Sequence, residues 1–454
     1  MMNLKRRHFL RLSGAAPVLG MLGGAALLGQ MRNGQAAASD YRAVICLYLG
    51  GGNDGNNTLV PLDGAFNDYA SARPELALPK DSLVQLSGSS AGHSFGLHPA
   101  LAPLASLYNQ GRLAWIANAG PLVKPATARQ VLEQSVQVPS FLLSHSDQAM
   151  WQQGWMGDAD GSGWAGRSLE YFPTALRHNI NAITMNNDRT LVLGRNSPVS
   201  FLSGGDNRYW GAADLSQPQA PATQAMNRMA QWQFSNQYEA EYAATFGRSV
   251  ADSTLFTQAA LMAKTPAVDF ANNDLANNLK KLASLLPVFK SLGYKRQVFM
   301  VQWGSFDTHT SQRGSSAMSQ DSQLDVMAKA LAAFDQANVA SGMDQSVVTL
   351  MLTDFGRTLR QASGGGTDHA WGNHLFALGG PVAGGQVLGS FPSLVPGGID
   401  DMDKDQAGRW VPSTSTDQVG ASVMQWMGLP AGDITSAFPH LANFSQKTLG
   451  FLRS

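Results

Sequence analysis

The sequence predicts an α/β fold with a largely parallel central sheet. Three apolar runs of strand length lie far apart in the chain, at 43–49, 297–303 and 346–352. Leucines with helical spacing at 99–110 are closely followed by a fourth such run at 113–117. Strands that are apolar throughout are typical of sheets covered on both faces, and a helix between strands is typical of a parallel βαβ unit. One large doubly wound α/β domain accounts for this pattern.

A mainly helical insertion is predicted near 218–292. Its clearest part is 275–292, where apolar residues form one stripe at helical spacing. Pro287 lies within that stretch and is expected to kink or break its last turns. Outside the insertion, the other predicted elements are strands over 182–185, 190–193 and 375–378 and helices over 323–336 and 417–427.

The first 38 residues have the pattern of a twin-arginine export signal. Arg6 and Arg7 precede an apolar run, and Ala36-Ala37-Ala38 offers a cleavage site. We therefore expect residues 1–38 to be a Tat signal peptide that engages the Tat export machinery, and 39–454 to be one folded periplasmic domain. The alternative is an N-terminal membrane anchor, although the apolar run is short and rich in glycine.

The charge balance argues against several classes of partner. The chain has 32 basic and 32 acidic residues, and five of the basic ones lie in residues 1–38, which leaves 27 against 32 and a formal net charge of −5. A mildly acidic protein is not suited to nucleic acid or to an anionic membrane surface. No second apolar run is long enough to predict a membrane span.

The single cysteine, Cys46, lies in the first apolar run, so we expect an inert, buried thiol and no internal disulfide.

Aspartate and histidine side chains gather in the last third of the chain, directly after apolar strands. Asp307 and His309 follow one of these strands, and Asp354 follows another. Because ligands of α/β proteins sit at the carboxyl ends of the strands, these residues are candidate ligands of a divalent metal. His369 and His374, which bracket a glycine-containing loop, are further candidates. Each stretch also fits a simpler interpretation, an Asp-turn with a surface histidine or a hydrogen-bonded loop.

Arg357 and Asp54 complete the predicted site. Arg357 lies three residues after Asp354, where it either neutralises that carboxylate or binds an anionic group of a substrate. Asp54 lies in a glycine-rich turn at 50–58, after the first strand, where it either binds metal or caps the turn. The glycines of this turn also match the pattern of a dinucleotide-binding motif, but Pro61 lies where the helix of that motif would run.

A further polar stretch runs from Ser144 to Gln148. Ser144 or Ser146 is a candidate nucleophile, and His145 or Asp147 is a candidate polar residue of the same site. Adjacency in sequence is no evidence for a catalytic triad, whose members are recognised by their convergence in space. The alternative is a helix N-cap at Ser146 or Asp147.

Taken in order, these motifs resemble those of the exported bacterial proteins grouped as domain of unknown function 1501. The resemblance is carried by the export signal and by the stretches 50–58, 97–101, 144–148, 306–309, 354–357 and 366–369. That family is placed in the alkaline-phosphatase-like superfamily, with sulfatases and cofactor-independent phosphoglycerate mutases. The resemblance implies an alkaline-phosphatase-like three-layer α/β sandwich and one or two divalent cations (Zn, Mn, Mg or Ca), and it implies no particular substrate.

The resemblance also implies a set of ligands, and the chain departs from the superfamily's pattern in two places. Phe355 stands where phosphatases have a histidine directly after the aspartate, and the sulfatase motif Cys-x-Pro-x-Arg does not occur in the sequence. The implied ligands are Asp54 after the first strand, Asp307 and His309 for one metal site, Asp354 for the other, and His369 or alternatively His374 as the late histidine.

We therefore expect an exported metal-dependent hydrolase that acts on an anionic phosphate or sulfate ester, either a small molecule or a polymer. Ser144, His145 and Arg357 are its candidate catalytic residues. The alternative is a non-catalytic exported protein of the same fold that serves an envelope or secretion assembly. A nicotinamide- or flavin-dependent oxidoreductase is a third interpretation, which rests on the glycine turn and the export signal alone.

Overall fold

A nine-stranded sheet lies at the centre of the protein. The computed structural model describes residues 40–140, 142–145, 151–154 and 160–453, so the predicted signal peptide, Ser146 and Asp147 lie outside the described residues. Asp40–Ser454 forms one compact unit. The strands are β1 Arg42–Leu49, β2 Leu59–Pro61, β3 Val84–Gln85, β4 Phe95–Leu97, β5 Leu113–Gly120, β6 Ala182–Thr184, β7 Ser200–Phe201, β8 Tyr209–Trp210, β9 Ala213–Asp214, β10 Arg296–Trp303, β11 Val347–Thr353, β12 Asn373–Leu378, β13 Gln386–Leu388 and β14 Thr414–Ser415.

The sheet is parallel except for one strand. Its order is β13-β5-β12-β11-β1-β10-β6-β7, and β14 pairs with β5. The pairs of β12 with β11 and β5 are antiparallel, and the other pairs are parallel. The prediction of an α/β fold with a largely parallel central sheet is therefore confirmed. Two small antiparallel sheets, β2-β4-β3 and β8-β9, are separate from it.

The central strands end level with one another. Because β1 pairs with β10 on one side and with β11 on the other, Leu49 lies opposite both Trp303 and Thr353. The segments that follow these three strands leave the sheet side by side. Since β12 runs the other way, its first residue, Asn373, lies at this same edge, opposite Ala119 of β5. Stretches that are far apart in the chain therefore meet at one edge of the sheet.

Helices cover both faces of the sheet. The helices Ala102–Asn109, Asp274–Ser291 and Gln320–Ala340 pack together as one group, and the helices Trp164–Leu169, Thr416–Met427 and Ile434–Ala437 pack together as another. All of β1 from Ala43 to Leu49 is buried, so neither of its faces meets solvent, as expected for a three-layer arrangement. The α-helices are α1 Ala65–Ala72, α2 Ala102–Asn109, α3 Ala128–Leu132, α4 Trp164–Leu169, α5 Pro221–Met229, α6 Gln237–Met262, α7 Asp274–Ser291, α8 Gln320–Ala340, α9 Thr416–Met427 and α10 Ile434–Ala437.

Local signals explain where the best-defined helices begin and end. The Oγ of Ser319 caps α8, and a capping box formed by Ser415 and Gln418 opens α9. Gly428, with a φ of 114°, ends α9 in the left-handed conformation that glycine adopts most readily. Pro287 does not break α7, which continues to Ser291.

One predicted strand differs from the structure, whereas the interpretation of the glycine-rich turn agrees with it. Residues 190–193, predicted as a weak strand, form a 3-10 helix at Thr190–Val192, because a short buried apolar run does not by itself select a strand. The glycine-rich turn leads into a 3-10 helix at Gly55–Asn57 and then into β2, so it lacks the α-helix of a dinucleotide-binding motif.

Cys46 is fully buried in β1, and burial raises the pKa of its thiol, which agrees with an inert role.

No helix within the described part of the chain has both the length and the apolar character needed to cross a lipid bilayer.

Candidate metal centre

The strand ends bring one carboxylate and two imidazoles into contact. Nε2 of His309 lies 2.9 Å from Oδ1 of Asp307, and Nε2 of His369 lies 3.0 Å from the same oxygen. The two Nε2 atoms are 3.1 Å apart. Donor atoms separated by about 3 Å match the edges of a coordination octahedron with bonds of about 2.1 Å. These three side chains therefore fit one divalent ion.

The other ring nitrogen of each histidine is held by an oxygen. Nδ1 of His309 lies 3.2 Å from Oδ1 of Asp368, and Nδ1 of His369 lies 2.9 Å from the carbonyl oxygen of Leu143. Contacts of this kind keep the proton on Nδ1 and leave Nε2 free to bind a metal. The contact of His309 with Asp368 spans 59 residues and that of His369 with Leu143 spans 226, so neither has a local signal in the sequence.

His145 lies between the two aspartates of the predicted site. Its Nε2 is 3.3 Å from Oδ2 of Asp307, and its Nδ1 is 3.4 Å from Oδ2 of Asp354. Ligand atoms of His145, Asp307 and His369 all lie within 4.8 Å of one another. The structure thus places His145, predicted as a catalytic residue, in the metal centre itself.

Asp354 is buried at the end of β11 and is held by a backbone amide. Its Oδ2 accepts a hydrogen bond of 2.9 Å from the N–H of Gly51, just after β1. Gly51 has a φ of 96°, and a Cβ there would lie 2.5 Å from the backbone N of Asp307. Glycine is therefore required for the turn after β1 to approach both aspartates so closely.

Arg357 is buried beside Asp307. Its Nη2 donates to Oδ1 of Asp307 at 3.0 Å and to the carbonyl oxygen of Phe306 at 3.3 Å. The buried Nε and Nη1 of Arg357 have no hydrogen-bond partner in the part of the chain that the structure describes. Arg357 forms an ion pair with Asp307, and both predicted roles, neutralisation of Asp354 and binding of an anionic group, stay predictions.

The electrostatics of the site favour the ionised form of Asp307. Burial by itself raises the pKa of this carboxyl, but the hydrogen bond from His369 and the charge of Arg357 outweigh it and hold the pKa below its ordinary value. Burial lowers the pKa of the Arg357 guanidinium, and the charge of Asp307 opposes that effect. An ionised carboxylate is the form that binds a metal ion.

Asp54 lies outside this group of ligands and, of its two predicted roles, takes that of a cap for the turn. Its Oδ2 accepts hydrogen bonds from Nη1 of Arg73 at 2.6 Å and from Nε2 of Gln312 at 2.7 Å. Its Oδ1 accepts from the N–H of Asn56 at 3.0 Å, which makes Asp54 the N-cap of the 3-10 helix. The side chains of Asp54 and Arg73 are fully buried. The guanidinium of Arg73 balances the charge of Asp54. The Asp54 carboxylate therefore stabilises the turn and is not available as a metal ligand.

His374 is likewise separate from the centre and belongs to the core. Its Nδ1 accepts a hydrogen bond of 3.1 Å from the N–H of Asn118, and its ring stacks on Phe391 with centroids 4.8 Å apart. Burial lowers the pKa of His374 to about 4, so the ring is neutral at physiological pH. Of the two alternatives for the late histidine ligand, the structure brings His369 into the site and leaves His374 in the core.

Phe355 and Ser144 flank the imidazoles. The ring of Phe355 lies 4.4 Å from that of His369 and 5.3 Å from that of His145, measured between centroids. Phe355 thus packs against both rings instead of supplying a nitrogen ligand. Ser144, the remaining described candidate for a nucleophile, is half-buried and directly precedes His145 in the same turn.

Fold and site together define an α/β protein with a candidate divalent-metal centre at the carboxyl edge of its central sheet. The chain belongs to the family described as protein of unknown function (DUF1501), whose model matches residues 41–401. The family expected from the motifs is therefore confirmed. A comparison with curated proteins gave no match.

Several solved structures are similar to this chain at low identity. A lipoteichoic acid synthase from Listeria monocytogenes is 11% identical, with 87% of this chain and 74% of that chain covered and a TM-score of 0.34. A phosphonate monoester hydrolase from Silicibacter pomeroyi is 8% identical, with 86% and 74% covered and a TM-score of 0.34. A 2-O GAG sulfatase is 9% identical, with 88% and 74% covered and a TM-score of 0.30. None of these similarities transfers an activity to the chain.

Proposed function

We propose that the protein is an exported, metal-dependent hydrolase of phosphate or sulfate esters. The observation that carries the proposal is the contact of Asp307, His309 and His369 at the carboxyl edge of the sheet, beside the buried guanidinium of Arg357. Two imidazole nitrogens and one carboxylate suit Zn or Mn better than Ca or Mg, which prefer oxygen ligands alone. Export to the periplasm is supported by the twin-arginine pattern of the first 38 residues.

The residues of the centre have separate roles in this reaction. A metal held by Asp307, His309 and His369 would polarise an ester oxygen and lower the pKa of a bound water. Arg357 supplies a fixed positive charge beside Asp307 and, because its side chain is fully buried, acts on an anionic substrate through that charge.

His145 is the residue placed to move a proton. It contacts Asp307 through Nε2 and Asp354 through Nδ1, so the two carboxylates orient the ring. Its role in the reaction would be to pass a proton to the oxygen of the leaving group. Ser144, next to His145, and a water molecule are the two candidate nucleophiles.

Elemental analysis and activity measurements together test the proposal. We expect one ion per chain and hydrolysis of phosphate or sulfate monoesters or diesters that is lost on chelation and restored by Zn or Mn. Asp307→Ala and His309→Ala should each remove metal and activity. His93→Ala is the control, because His93 forms an ion pair with Asp63 outside the centre. Unchanged metal content and turnover in the Asp307 and His309 variants would overturn the proposal.

A non-catalytic exported protein that serves an envelope or secretion assembly is the second candidate. It is favoured because a second metal site would lack two of its ligands. Asp54 is paired with Arg73, and Phe355 stands where phosphatases have a histidine. Such a protein would keep one structural ion without turnover. Metal that is lost in Asp307→Ala, together with no ester hydrolysis in the presence of Zn or Mn, would support this function. Robust turnover would exclude it.

A further inference from the structure

A cavity of about 490 Å³ that is widely open to solvent lies next to the segment that carries Asp307. Its volume is in the range of small-molecule binding sites. The cavity begins at Trp303, the last residue of β10, and extends along the first two turns of α8. Trp303 is half-buried, and its ring packs edge-on against Phe306 with centroids 6.0 Å apart. The lining includes Trp303, Ser315, Asp321, Ser322, Asp325 and Val326.

The side chain of Gln323 connects the cavity to the metal centre. Gln323 lines the cavity. Its Oε1 accepts a hydrogen bond of 2.7 Å from the N–H of Ser305, and its Nε2 donates to the carbonyl oxygen of Ser305 at 3.0 Å. Ser305 lies two residues before Asp307. A molecule bound in the cavity is therefore held beside the backbone that positions the metal-binding carboxylate.

The lining combines apolar and polar side chains, and its charges are balanced. Oδ1 of Asp321 lies 3.0 Å from Nε2 of His98 and Oδ2 accepts from the N–H of Gly314 at 3.0 Å, while Asp325 pairs with Lys329 at 2.7 Å. Neither lysine nor arginine is among the described residues that line the cavity, so the cavity does not suit an anion. Carboxylates that already have cationic partners attract an ammonium group less than free ones do. Their remaining lone pairs can accept hydrogen bonds from hydroxyl groups.

We propose that this cavity binds the neutral, hydroxyl-bearing ring of a saccharide, as the part of the substrate that does not react. A sugar ring has an apolar C–H face that packs on the indole of Trp303. Its hydroxyls form hydrogen bonds with the side-chain oxygens of Asp325, Ser315 and Ser322. The inference rests on the proposed function, because it makes the substrate a phosphate or sulfate ester of a sugar hydroxyl. Binding energy from such a remote group positions the ester for reaction.

Binding measurements on the full mature protein test the cavity separately from catalysis. The probes for saturation-transfer NMR and calorimetry are methyl glucoside, N-acetylglucosamine and maltotriose, with choline as a cationic counter-probe. We expect at least one saccharide to bind, and Trp303→Ala to weaken that binding at least tenfold. Ala317→Trp fills the cavity from its exposed rim, so it should abolish binding at unchanged melting temperature. Trp232→Ala is the matched control, because Trp232 is 56% exposed in the helical insertion and should not affect binding.

The outcomes separate this inference from the proposed function. Asp307→Ala should bind the saccharide as the unaltered protein does, since the cavity does not include the metal ligands. Saccharide binding without any ester hydrolysis would refute the hydrolase and leave the sugar site intact. No binding of the three saccharides, equal binding by Ala317→Trp, or stronger binding of choline would each overturn the assignment.

Discussion

Replacement of Asp54 by asparagine distinguishes a structural carboxylate from a metal ligand. Asp54→Asn keeps the shape of the side chain and removes its charge. Because both members of the Asp54–Arg73 pair are fully buried, the guanidinium would then lie in the core without a counter-ion. We expect the variant to lose stability and to keep its full metal content.

The size of the effect follows from the surroundings of Arg73. Its Nε donates to the carbonyl of Leu359 at 2.7 Å, Nη1 to Oδ1 of Asn57 at 2.7 Å and Nη2 to the carbonyl of Thr358 at 2.7 Å. These neutral acceptors remain in the variant, but the balancing charge of Asp54 is lost. Removal of one partner from a buried ion pair costs about 3–5 kcal/mol of the free energy of unfolding. In a domain of this length that loss lowers the melting temperature by roughly 3–6 °C.

Calorimetric melting and elemental analysis of the same preparations provide the assay. Asp307→Asn is the matched control, because Asp307 is about one-third exposed in the metal centre and should lose the metal. Because that variant also removes the counter-ion of the buried Arg357, metal content and not the melting temperature is the readout of this control. The double variant Asp54→Asn, Arg73→Met should recover part of the stability lost in Asp54→Asn. An Asp54→Asn protein that melts normally but holds no metal would refute the structural role.

Two further predictions concern a tight turn and a buried acid. Gly51→Ala should weaken metal binding, because its φ is 96° and the new Cβ would lie 2.5 Å from the backbone N of Asp307. In the control Gly50→Ala the new Cβ comes no closer than 3.4 Å to a neighbour, and equal metal affinity in the two variants would contradict the argument. Burial raises the pKa of Asp417 to about 8, whereas in the unfolded chain it is about 3.9. The stability that this carboxyl contributes is therefore full below about pH 4 and lost as the pH rises to about 8. Asp417→Asn should raise the melting temperature by several degrees at pH 8 and change it little near pH 4, and an equal shift at both pH values would count against this assignment.

Much of the fold could be predicted, because a strand buried on both faces leaves a local mark in the sequence. The apolar runs at 43–49, 297–303 and 346–352 agree with β1, β10 and β11 to within one residue at each end. The direction of β12 could not be predicted in this way. A run of apolar residues is the same whether the strand pairs parallel or antiparallel, so direction depends on the neighbouring strands.

Charged partners were the least predictable part of the site. Asp54 follows a strand as Asp354 does, and residue type alone does not tell a metal ligand from a capping residue. The structure separates them, because Arg73 reaches Asp54 whereas His145 reaches Asp354. Each contact depends on how distant segments pack.

By itself the sequence determined the α/β class, the central strands and the candidate residues at their ends, since these follow from local burial patterns and side-chain chemistry. Only the tertiary structure decided that Asp307, His309 and His369 share one centre with His145, and that Arg73 takes up the charge of Asp54. The physical reason is that side chains hundreds of residues apart meet through the register of the sheet, and that register has no signature in any single stretch of the chain.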